Sequence, residues 1–354
     1  MLGDHMKTEV KIIQSGYDKK KCLVHARCCF APDIAVATSQ YLTVAGSDLF
    51  SGIYSSISFD GGKSWSDFVE QKGLAPIKQE EYTIVGCDST PIYHKKTGKI
   101  LLLGHTACYT DGEMHPNGKL RQTFYSVFDT AKKEFGKMQL IDCEYENCGN
   151  GSGQSVELEN GDILVPIYIR IGKGKFGSAV MKCAFDGENL SVIEMGNIVT
   201  CDIGRGLYEP SIIFHKGKYY MTMRNDECGM VAKSDDGLNY TDLHLWCWND
   251  GSIVDTYNTQ QHWMVLGDSL YLVYTRRAEN NGHVFRHRAP LFMARVENMK
   301  LVRNSEIVVV PERGARLGNF GVTDNTVMAA EWMQPAGCEK YGSDNSIFLT
   351  KIEE

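Results

Sequence analysis

Residues 58–65 read Ser-Phe-Asp-Gly-Gly-Lys-Ser-Trp and match the pattern Ser-x-Asp-x-Gly-x-x-Trp at every fixed position. This octapeptide predicts a tight corner between two β-strands. The Asp60 carboxylate can accept hydrogen bonds from backbone N–H groups of the turn, and the glycines tolerate a positive φ. Trp65 can pack the corner against the sheet. We therefore expect Asp60 to have a structural role and not a catalytic one.

The same turn recurs along the chain in weaker copies. Residues 234–240 read Ser-Asp-Asp-Gly-Leu-Asn-Tyr, which is one residue shorter, and fainter copies stand at Asp129 and Asp186. Each copy follows an alternating stretch that is typical of a strand. Two further strands of this kind, residues 291–296 and 346–352, lack the turn but keep the spacing. Strand-built repeats of about fifty to seventy residues are typical of β-propeller blades, and we count six.

A second repeat consists of a strand, a short polar turn and another strand. Residues 155–158 and 163–167 form one such pair, and the short polar turn between them is typical of a β-hairpin. Because helical periodicity is lacking throughout, the sequence predicts an all-β fold, a six-bladed β-propeller that forms a single domain over residues 1–354. Pairing of residues 8–14 with residues 346–352 would close the ring and remove an exposed strand edge.

Composition excludes several classes of function. The 354 residues carry a formal net charge of −7, which argues against a nucleic-acid partner. The chain lacks the roughly 18 consecutive apolar residues of a membrane helix. The first fourteen residues lack the apolar region of a secretory signal, and the twelve cysteines are then reduced thiols, so we expect a cytoplasmic protein. A secreted protein that has lost its leader is the alternative.

Polar residues stand where the predicted strands reach one end of the central channel. In a propeller the first strand of each blade starts at this rim, and the second strand ends there. Charged residues and histidines at nearly every such position predict a pocket for a polar, anionic ligand. The first-strand starts are Asp88, Gln154, Glu209, Gln261, His262, Arg316 and Asn319, and the second-strand ends are Asp48, His105, Arg170, Arg224, Arg276, Arg277 and Glu331.

The turn motifs, known as Asp boxes or BNR repeats, and the segment Leu207-Tyr208-Glu209-Pro210-Ser211 followed by Met223-Arg224-Asn225 resemble the sialidase (neuraminidase) superfamily over nearly the whole chain. The resemblance implies that Glu209 polarises a tyrosine nucleophile and that Arg224 binds the substrate carboxylate. It also implies that Tyr341 is that nucleophile, with Arg316 or Arg313 opening the last blade. Asp48, which precedes the first Asp box, resembles the acid that protonates the leaving group.

One departure from the family concerns its first arginine, which belongs to an Arg-Ile-Pro motif. Here the corresponding residues are Phe30-Ala31-Pro32, so the arginine position holds Phe30, and Arg27 lies three residues earlier. A carboxylate clamp of three arginines is therefore incomplete at this position. Sialic acid is then one of two acidic sugars that the pocket could take, and a uronic acid is the other.

The histidines indicate a second resemblance, to propellers that cleave rhamnose–glucuronate linkages by hydrolysis or β-elimination around an early-blade histidine. His25 or His105 would have that role, and arginines such as Arg27 and Arg224 would neutralise the uronate. The segment from Arg276-Arg277 to Arg286-His287-Arg288 is either an anion-binding loop, which would add Arg288 to the pocket, or a solvated charge run.

The sequence therefore favours a carbohydrate-active enzyme, an exo-acting glycoside hydrolase on a sialic acid- or uronic acid-containing glycan. A polysaccharide lyase that uses a histidine or tyrosine on a uronate is the first alternative, and a non-catalytic glycan-binding propeller is the second. We expect no cofactor. His105 and Asp88 could bind a cation, but they lack the close spacing of a metal motif, so we predict no metal site.

Overall fold

The computed structural model describes residues 6–44, 48–114, 121–145, 147–151 and 153–353. Strands dominate this part of the chain, and its four helices are single 3₁₀ turns: Lys72–Leu74, Phe285–His287, Arg303–Ser305 and Cys338–Tyr341. None of the helices in the described ranges has the length and apolar character needed to cross a bilayer.

The strands are numbered in chain order and, after the N-terminal strand β1 (Lys7–Gln14), fall into consecutive sheets. Sheet 1 contains β2 (Lys21–Phe30), β3 (Ala35–Thr43), β4 (Phe50–Ser58) and β5 (Val69–Glu70). Sheet 2 contains β6 (Ile77–Lys78), β7 (Thr83–His94), β8 (Lys99–Thr110), β9 (Glu113–Met114), β10 (Thr123–Asp129), β11 (Glu134–Phe135) and β12 (Gln139–Leu140). Sheet 3 contains β13 (Cys148–Gly149), β14 (Val156–Glu157), β15 (Ile163–Gly172), β16 (Lys175–Phe185) and β17 (Leu190–Met195).

The second half of the chain continues the series. Sheet 4 contains β18 (Tyr208–His215), β19 (Lys218–Arg224), β20 (Met230–Ser234) and β21 (Tyr240–Leu245). Sheet 5 contains β22 (His262–Leu266), β23 (Ser269–Tyr274), β24 (Leu291–Glu297), β25 (Lys300–Leu301) and β26 (Ile307–Val310). Sheet 6 contains β27 (Arg316–Leu317), β28 (Gly321–Thr323), β29 (Thr326–Trp332) and β30 (Ile347–Glu353), and β1 joins it.

The all-β class is confirmed, and the sheets have a β-propeller arrangement. The described strands form six sheets, but only five blades are recognised among them, so the predicted count of six blades is not confirmed. Two sheets have a broken first strand, since β13, β14 and β27 contain two residues each and β28 contains three. β1 pairs with β30 in antiparallel register, with Thr8 opposite Ile352.

The apolar core lies between neighbouring sheets. One cluster joins Leu103 of β8 to Val165 of β15, and another joins Val273 of β23 to Ala329 of β29. These strands are rich in β-branched and apolar residues on both faces, as expected for sheets that are covered on both sides. The polar residues at the strand ends therefore lie outside this apolar core, toward the central channel.

The aspartate turns have the geometry that the sequence predicts. Ser64 donates its backbone N–H to Asp60 Oδ1 at 2.9 Å and its hydroxyl to Oδ2 at 2.5 Å. In the second copy, the N–H groups of Leu238 and Asn239 donate to Asp236 Oδ1 at 2.8 and 2.7 Å. The hydrogen bond from the Ser64 hydroxyl holds the pKa of Asp60 well below its usual range. Both carboxylates cap turns, which accords with a structural role.

Candidate active site

Three first strands share a local distortion that faces the central cavity. The register of β2 against β3 breaks around His25, that of β7 against β8 around Asp88, and that of β18 against β19 around Glu209. These residues have φ values of 58°, 48° and 48°, in the left-handed region that residues other than glycine rarely adopt. A bulge turns one side chain out of the strand's alternation. Here all three side chains border one cavity.

This cavity has a volume of about 270 Å³, and it is where most of the predicted rim residues meet. The predicted residues that line it are His25, Asp48, Asp88, His105, Glu209, Arg224, Arg288 and Arg316. They lie in strands or connecting loops of every sheet except the third. Sheet 3 lines the cavity with Tyr168 and Phe176, which were not among the predicted residues.

Glu209 and Arg224 form an ion pair across sheet 4. Arg224 Nη1 donates to both carboxylate oxygens of Glu209, at 2.9 and 2.7 Å. The other side of the guanidinium, Nε and Nη2, donates to Asn258 Oδ1 at 3.1 and 2.7 Å. Burial lowers the pKa of Arg224, but the attraction of Glu209, Tyr208 and Asp48 and the hydrogen bonds to Glu209 together outweigh it and raise that pKa above its usual range. Arg224 is therefore charged, and these contacts hold both side chains in position.

Tyr208, the neighbour of Glu209, belongs to a second network at the cavity mouth. Its hydroxyl donates to Asp226 Oδ1 at 2.8 Å and accepts from Arg205 Nη2 at 2.7 Å. Arg205 also forms an ion pair with Asp226 at 2.7 Å. Burial raises the pKa of Tyr208 to about 12, so this phenol stays protonated at neutral pH.

Asp88 is a buried carboxylate held by two donors. Arg27 Nη2 donates to Asp88 Oδ1 at 3.0 Å, and Asn319 Nδ2 donates to the same oxygen at 2.9 Å. Burial opposes ionisation, but His25 and Arg27 lower the pKa of Asp88 below its usual range. Arg27 is 1% exposed. Its Nε and Nη1 groups donate to the backbone carbonyls of His25, Ser89 and Phe320. Its placement supports Asp88 and does not favour the predicted contact with substrate.

The two cavity histidines are neutral hydrogen-bond donors. His25 Nδ1 accepts the Asn319 N–H at 2.8 Å, and His105 Nδ1 accepts the Gly151 N–H at 3.2 Å. Each ring must then carry its proton on Nε2. Burial lowers the pKa of His25 to about 3 and that of His105 to about 4. His25 Nε2 has no hydrogen-bond partner among the described residues and can donate to a ligand.

Arg316 and Arg288 form the cationic wall of the cavity. Arg316 is fully buried, and none of its three side-chain nitrogens has a hydrogen-bond partner in the described part of the chain. Its guanidinium carbon lies 3.4 Å from the centre of a Trp332 ring, a cation–π contact. Arg288 donates from Nη2 to Asn258 O at 3.2 Å. Burial, with a neighbouring arginine in each case, lowers the pKa of both groups, so an anion placed there would be strongly attracted.

Several predicted residues make contacts elsewhere in the protein. Gln154 is partly buried and donates to Trp263 O and Val322 O. Gln261 and His262 are buried: Gln261 accepts from Thr222 Oγ1, and His262 Nδ1 lies 2.6 Å from Ser211 Oγ. Two are tied to acidic partners: Arg276 pairs with Glu306 at 2.7 Å and Arg277 with Asp255 at 3.2 Å. These bonds connect blades or loops, so the five side chains already have partners.

Tyr341, the predicted nucleophile, is half exposed, and its ring centre lies 4.8 Å from that of His283. It lies in the last 3₁₀ turn, beside the Arg313 loop, and is separate from the residues that line the cavity. Phe30, at the position of the family's first arginine, packs against the Gly62 turn. That is the end of β2 remote from His25, so the missing arginine does not leave a gap in this cavity.

The sequence reasoning missed four groups at the site: Arg121, Tyr168, Arg205 and Asn258. Arg121 lies over the Tyr168 ring at 4.9 Å, and Asn258 links Arg224, Tyr208 and Arg288. The available signal was the Arg-Gly-Leu-Tyr-Glu run that places Arg205 and Tyr208 beside Glu209. Asn258 lies in the loop before β22 and has a left-handed φ of 45°. No local sequence pattern predicts this conformation.

Cys87, Asp88 and His105 bring three potential metal ligands within 4.8 Å of one another. His105 is a poor ligand here, because Nδ1 already accepts the Gly151 N–H and Nε2 carries the proton. Asp88 already binds Arg27 and Asn319 through Oδ1. This group therefore does not fit a metal ion.

Comparison with known proteins places the fold. No family model matches the chain, and no curated protein matches its sequence. Among solved structures, a protein of unknown function from Dyadobacter fermentans DSM 18053 matches with a TM-score of 0.68 and 15% identity, covering 99% of both chains. Trypanosoma rangeli sialidase in complex with sialic acid matches with a TM-score of 0.64 and 14% identity over 99% of this chain. The microbial sialidase Hz136 (Hadza) matches with a TM-score of 0.65 and 11% identity over 94% of it.

The chain spans 59% of the trypanosomal sialidase and 66% of Hz136. At these identities the likeness concerns the fold alone. The chain therefore has a sialidase-like β-propeller fold.

Proposed function

We propose that this protein is an exo-acting glycoside hydrolase that removes an acidic sugar from a glycan, with Arg316 and Arg288 binding the sugar carboxylate. The observation that carries this proposal is the buried Arg316 guanidinium, whose nitrogens lack partners among the described residues. A buried cation without a partner costs several kcal/mol. A bidentate carboxylate would offset that cost.

The size and lining of the cavity support action on a terminal sugar. A volume of about 270 Å³ is at the lower end for ligand pockets, which suits one sugar residue better than the interior of a polymer. Trp332 and Tyr168 also line the cavity, where their rings carry Arg316 and Arg121, and His25 Nε2 offers a neutral donor for a hydroxyl group. These features together fit one acidic monosaccharide unit.

Asp48 and Glu209 are the proposed catalytic carboxyl groups. Glycosidases need one group that donates a proton to the leaving oxygen and one that acts as base or nucleophile. Glu209 borders the cavity and forms an ion pair with Arg224 at 2.7 Å, an arrangement that suits the second task. Asp48, which also borders the cavity, would then be the acid. Tyr341 has no part in this proposal, because its ring lies against His283 outside the cavity lining.

The histidine tautomers argue for hydrolysis and against elimination by a histidine base. A general base needs a free lone pair facing the substrate. In both His25 and His105 the Nδ1 lone pair accepts a backbone N–H, and Nε2 is protonated. Each ring can donate a hydrogen bond but cannot take up the C5 proton of a uronate without first losing that backbone contact.

A panel of aryl glycosides tests the proposal. Aryl α- and β-glycosides of sialic and uronic acids should release the aryl alcohol, whereas the matching neutral sugars should not. A uronate that carries a second sugar on O4 tests the lyase alternative, because a lyase would expel that sugar from C4 and leave a conjugated unsaturated uronate, seen by ultraviolet absorbance without uptake of water. If calorimetry shows that the free acidic sugars bind but no glycoside is turned over, the protein is a glycan-binding module and not an enzyme. No binding and no turnover would refute the anionic-sugar site itself.

We also infer that each of the six sheets is one blade and that the β1–β30 pairing closes the ring. The support is the antiparallel register from Lys7 opposite Glu353 to Gln14 opposite Ile347. Closure would place sheet 6 beside sheet 1, and Arg27 of β2 does donate to Phe320 O, just before β28.

A further inference from the structure

Two thiols lie in contact at the entrance to sheet 3. Cys143 Sγ and Cys148 Sγ are 3.0 Å apart. A further approach of about 1 Å would bring them to the bonded separation of about 2.05 Å. Cys148 is 2% exposed, whereas Cys143 is partly exposed. Cys143 is therefore accessible to a reagent in solvent, and the buried Cys148 lies in contact with it.

We propose that Cys143 and Cys148 are an oxidation site at which peroxide converts two thiols into a disulfide. The site lies outside the catalytic residues assigned above, and it does not depend on the proposed function. Its ligand is a small oxidant, hydrogen peroxide or an organic hydroperoxide.

The surroundings assign different roles to the two sulfurs. The hydrogen bond from Cys148 lowers the pKa of Cys143 to about 7, although Asp142 and Glu144 oppose this. The pKa of Cys148 is raised by the same pairing and by burial. Because the thiolate is the nucleophile, Cys143 reacts first and Cys148 resolves the product.

The chemistry balances as follows. The Cys143 thiolate attacks one peroxide oxygen and breaks the O–O bond, which gives a sulfenic acid and a hydroxide that takes the thiol's proton as water. The Cys148 sulfur then attacks the sulfenic sulfur, and the S–O bond breaks as a second water leaves. In total the two thiols lose two protons and two electrons, and hydrogen peroxide is reduced to two waters, or an organic hydroperoxide to one alcohol and one water.

The position of the pair links oxidation to the wall of the cavity. Cys148 starts β13, and the following Gly149 packs so closely on His105 that an added Cβ would lie 2.8 Å from His105 Cβ. Two residues later, the Gly151 N–H donates to His105 Nδ1. A disulfide would therefore fix the chain segment that holds His105 in its tautomer.

Trapping of thiols after peroxide treatment tests the site. The reduced full-length protein is exposed to a small excess of hydrogen peroxide, quenched, alkylated and digested with trypsin. Both cysteines fall in one tryptic peptide, residues 138–170. We expect this peptide to be lighter by two hydrogen atoms than its reduced form and to carry no alkyl group. Treatment with dithiothreitol before alkylation should restore two alkyl groups.

Cys201 is the matched control, since it is also partly exposed but has a backbone carbonyl and an amide as its sulfur partners. It should remain alkylated under the same treatment. In C148S, Cys143 should stop at the sulfenic acid, which a dimedone probe captures. Alkylation of both Cys143 and Cys148 at peroxide levels that already oxidise Cys201 would overturn the proposal.

Discussion

Arg316 is the residue at which stability and binding are most clearly opposed. Its guanidinium is buried against Trp332, close to Arg288, without a hydrogen-bond partner in the described ranges. Replacing a buried charge with an apolar side chain of similar volume is often neutral or stabilising. A protein that keeps such a charge must gain something else from it, and in the proposed function that gain is the binding of a carboxylate.

Arg316→Met should separate these two effects. We expect the unfolding temperature of the ligand-free variant to be equal to that of the parent or higher, because an unpaired buried cation is removed. Affinity for an acidic sugar should fall by about tenfold or more, since a charge-assisted hydrogen bond contributes about 1.5–3 kcal/mol. Calorimetric titration and thermal melts measure the two quantities.

Arg276→Met is the matched control, because Arg276 pairs with Glu306 outside the cavity lining. It should lower the unfolding temperature and leave sugar affinity unchanged. Equal loss of affinity in both variants would mean that Arg316 does not contact the ligand.

Glu209→Gln tests the proposed base or nucleophile. The amide keeps the shape but cannot take a proton or attack carbon, so kcat should fall by a factor of about 10² to 10⁴. The affinity for the sugar should change much less, because the carboxylate site at Arg316 and Arg288 is intact. Stopped assays with the best aryl glycoside give kcat, and Glu306→Gln serves as the control. An unchanged kcat would remove Glu209 from the mechanism.

At the scale of elements, three inner strands depart from regular backbone at the residues whose polar side chains border the cavity. His25, Asp88 and Glu209 each adopt a left-handed conformation, which costs about 1–3 kcal/mol per residue. The flanking β-ladders hold each bulge in place, since pairing resumes at Arg27, Thr90 and Ser211. Strain of this kind in three first strands supports a functional origin for the cavity.

Bulges and loops also explain what the sequence could and could not predict. The strands and the Asp60 turn could be predicted from the sequence, because alternation of apolar residues and turn geometry both depend on local backbone and side-chain preferences. Glu209 and Arg224 were readable because one hairpin returns the chain to the same rim. The position of Tyr341 depends on a loop of irregular backbone between β29 and β30, and no local pattern fixes where such a loop points. Asn258 was missed for the same reason.

Removal of β1 tests the proposed closure of the ring. Its side chains are mostly exposed, so its contribution is chiefly the backbone ladder to β30. Deleting residues 1–14 should lower the unfolding temperature by several degrees and expose the edge of β30 to aggregation. A synthetic peptide of residues 7–14 added in excess should restore part of the loss, and a scrambled peptide should not. Unaltered melting of the deletion variant would show that the ring does not need β1.

At the scale of the molecule, the site exists only because sheets far apart in sequence converge on one channel. Asp88 of sheet 2 receives donors from Arg27 of sheet 1 and from Asn319, which precedes β28 of sheet 6. Gln154 of the segment before β14 likewise connects Trp263 of sheet 5 to Val322 of sheet 6. Buried polar contacts such as those of Asp88 make the stability of the fold sensitive to the protonation of a few groups.

The buried histidines should make the folded protein lose stability in mild acid. Burial lowers the pKa of His25 to about 3, of His105 to about 4 and of His262 to about 3. The unfolded chain protonates its histidines below about pH 6.5, whereas the folded chain does not, so the free energy of unfolding falls as pH drops from about 6.5 toward 4. Each histidine contributes a slope of up to about 1.4 kcal/mol per pH unit. Urea unfolding at pH 7.5, 6 and 5 (roughly spanning that window) should show a shallower slope of unfolding free energy against pH for His262→Gln than for the parent. Equal slopes in the two proteins would mean that His262 takes up a proton in the folded state as readily as in the unfolded chain.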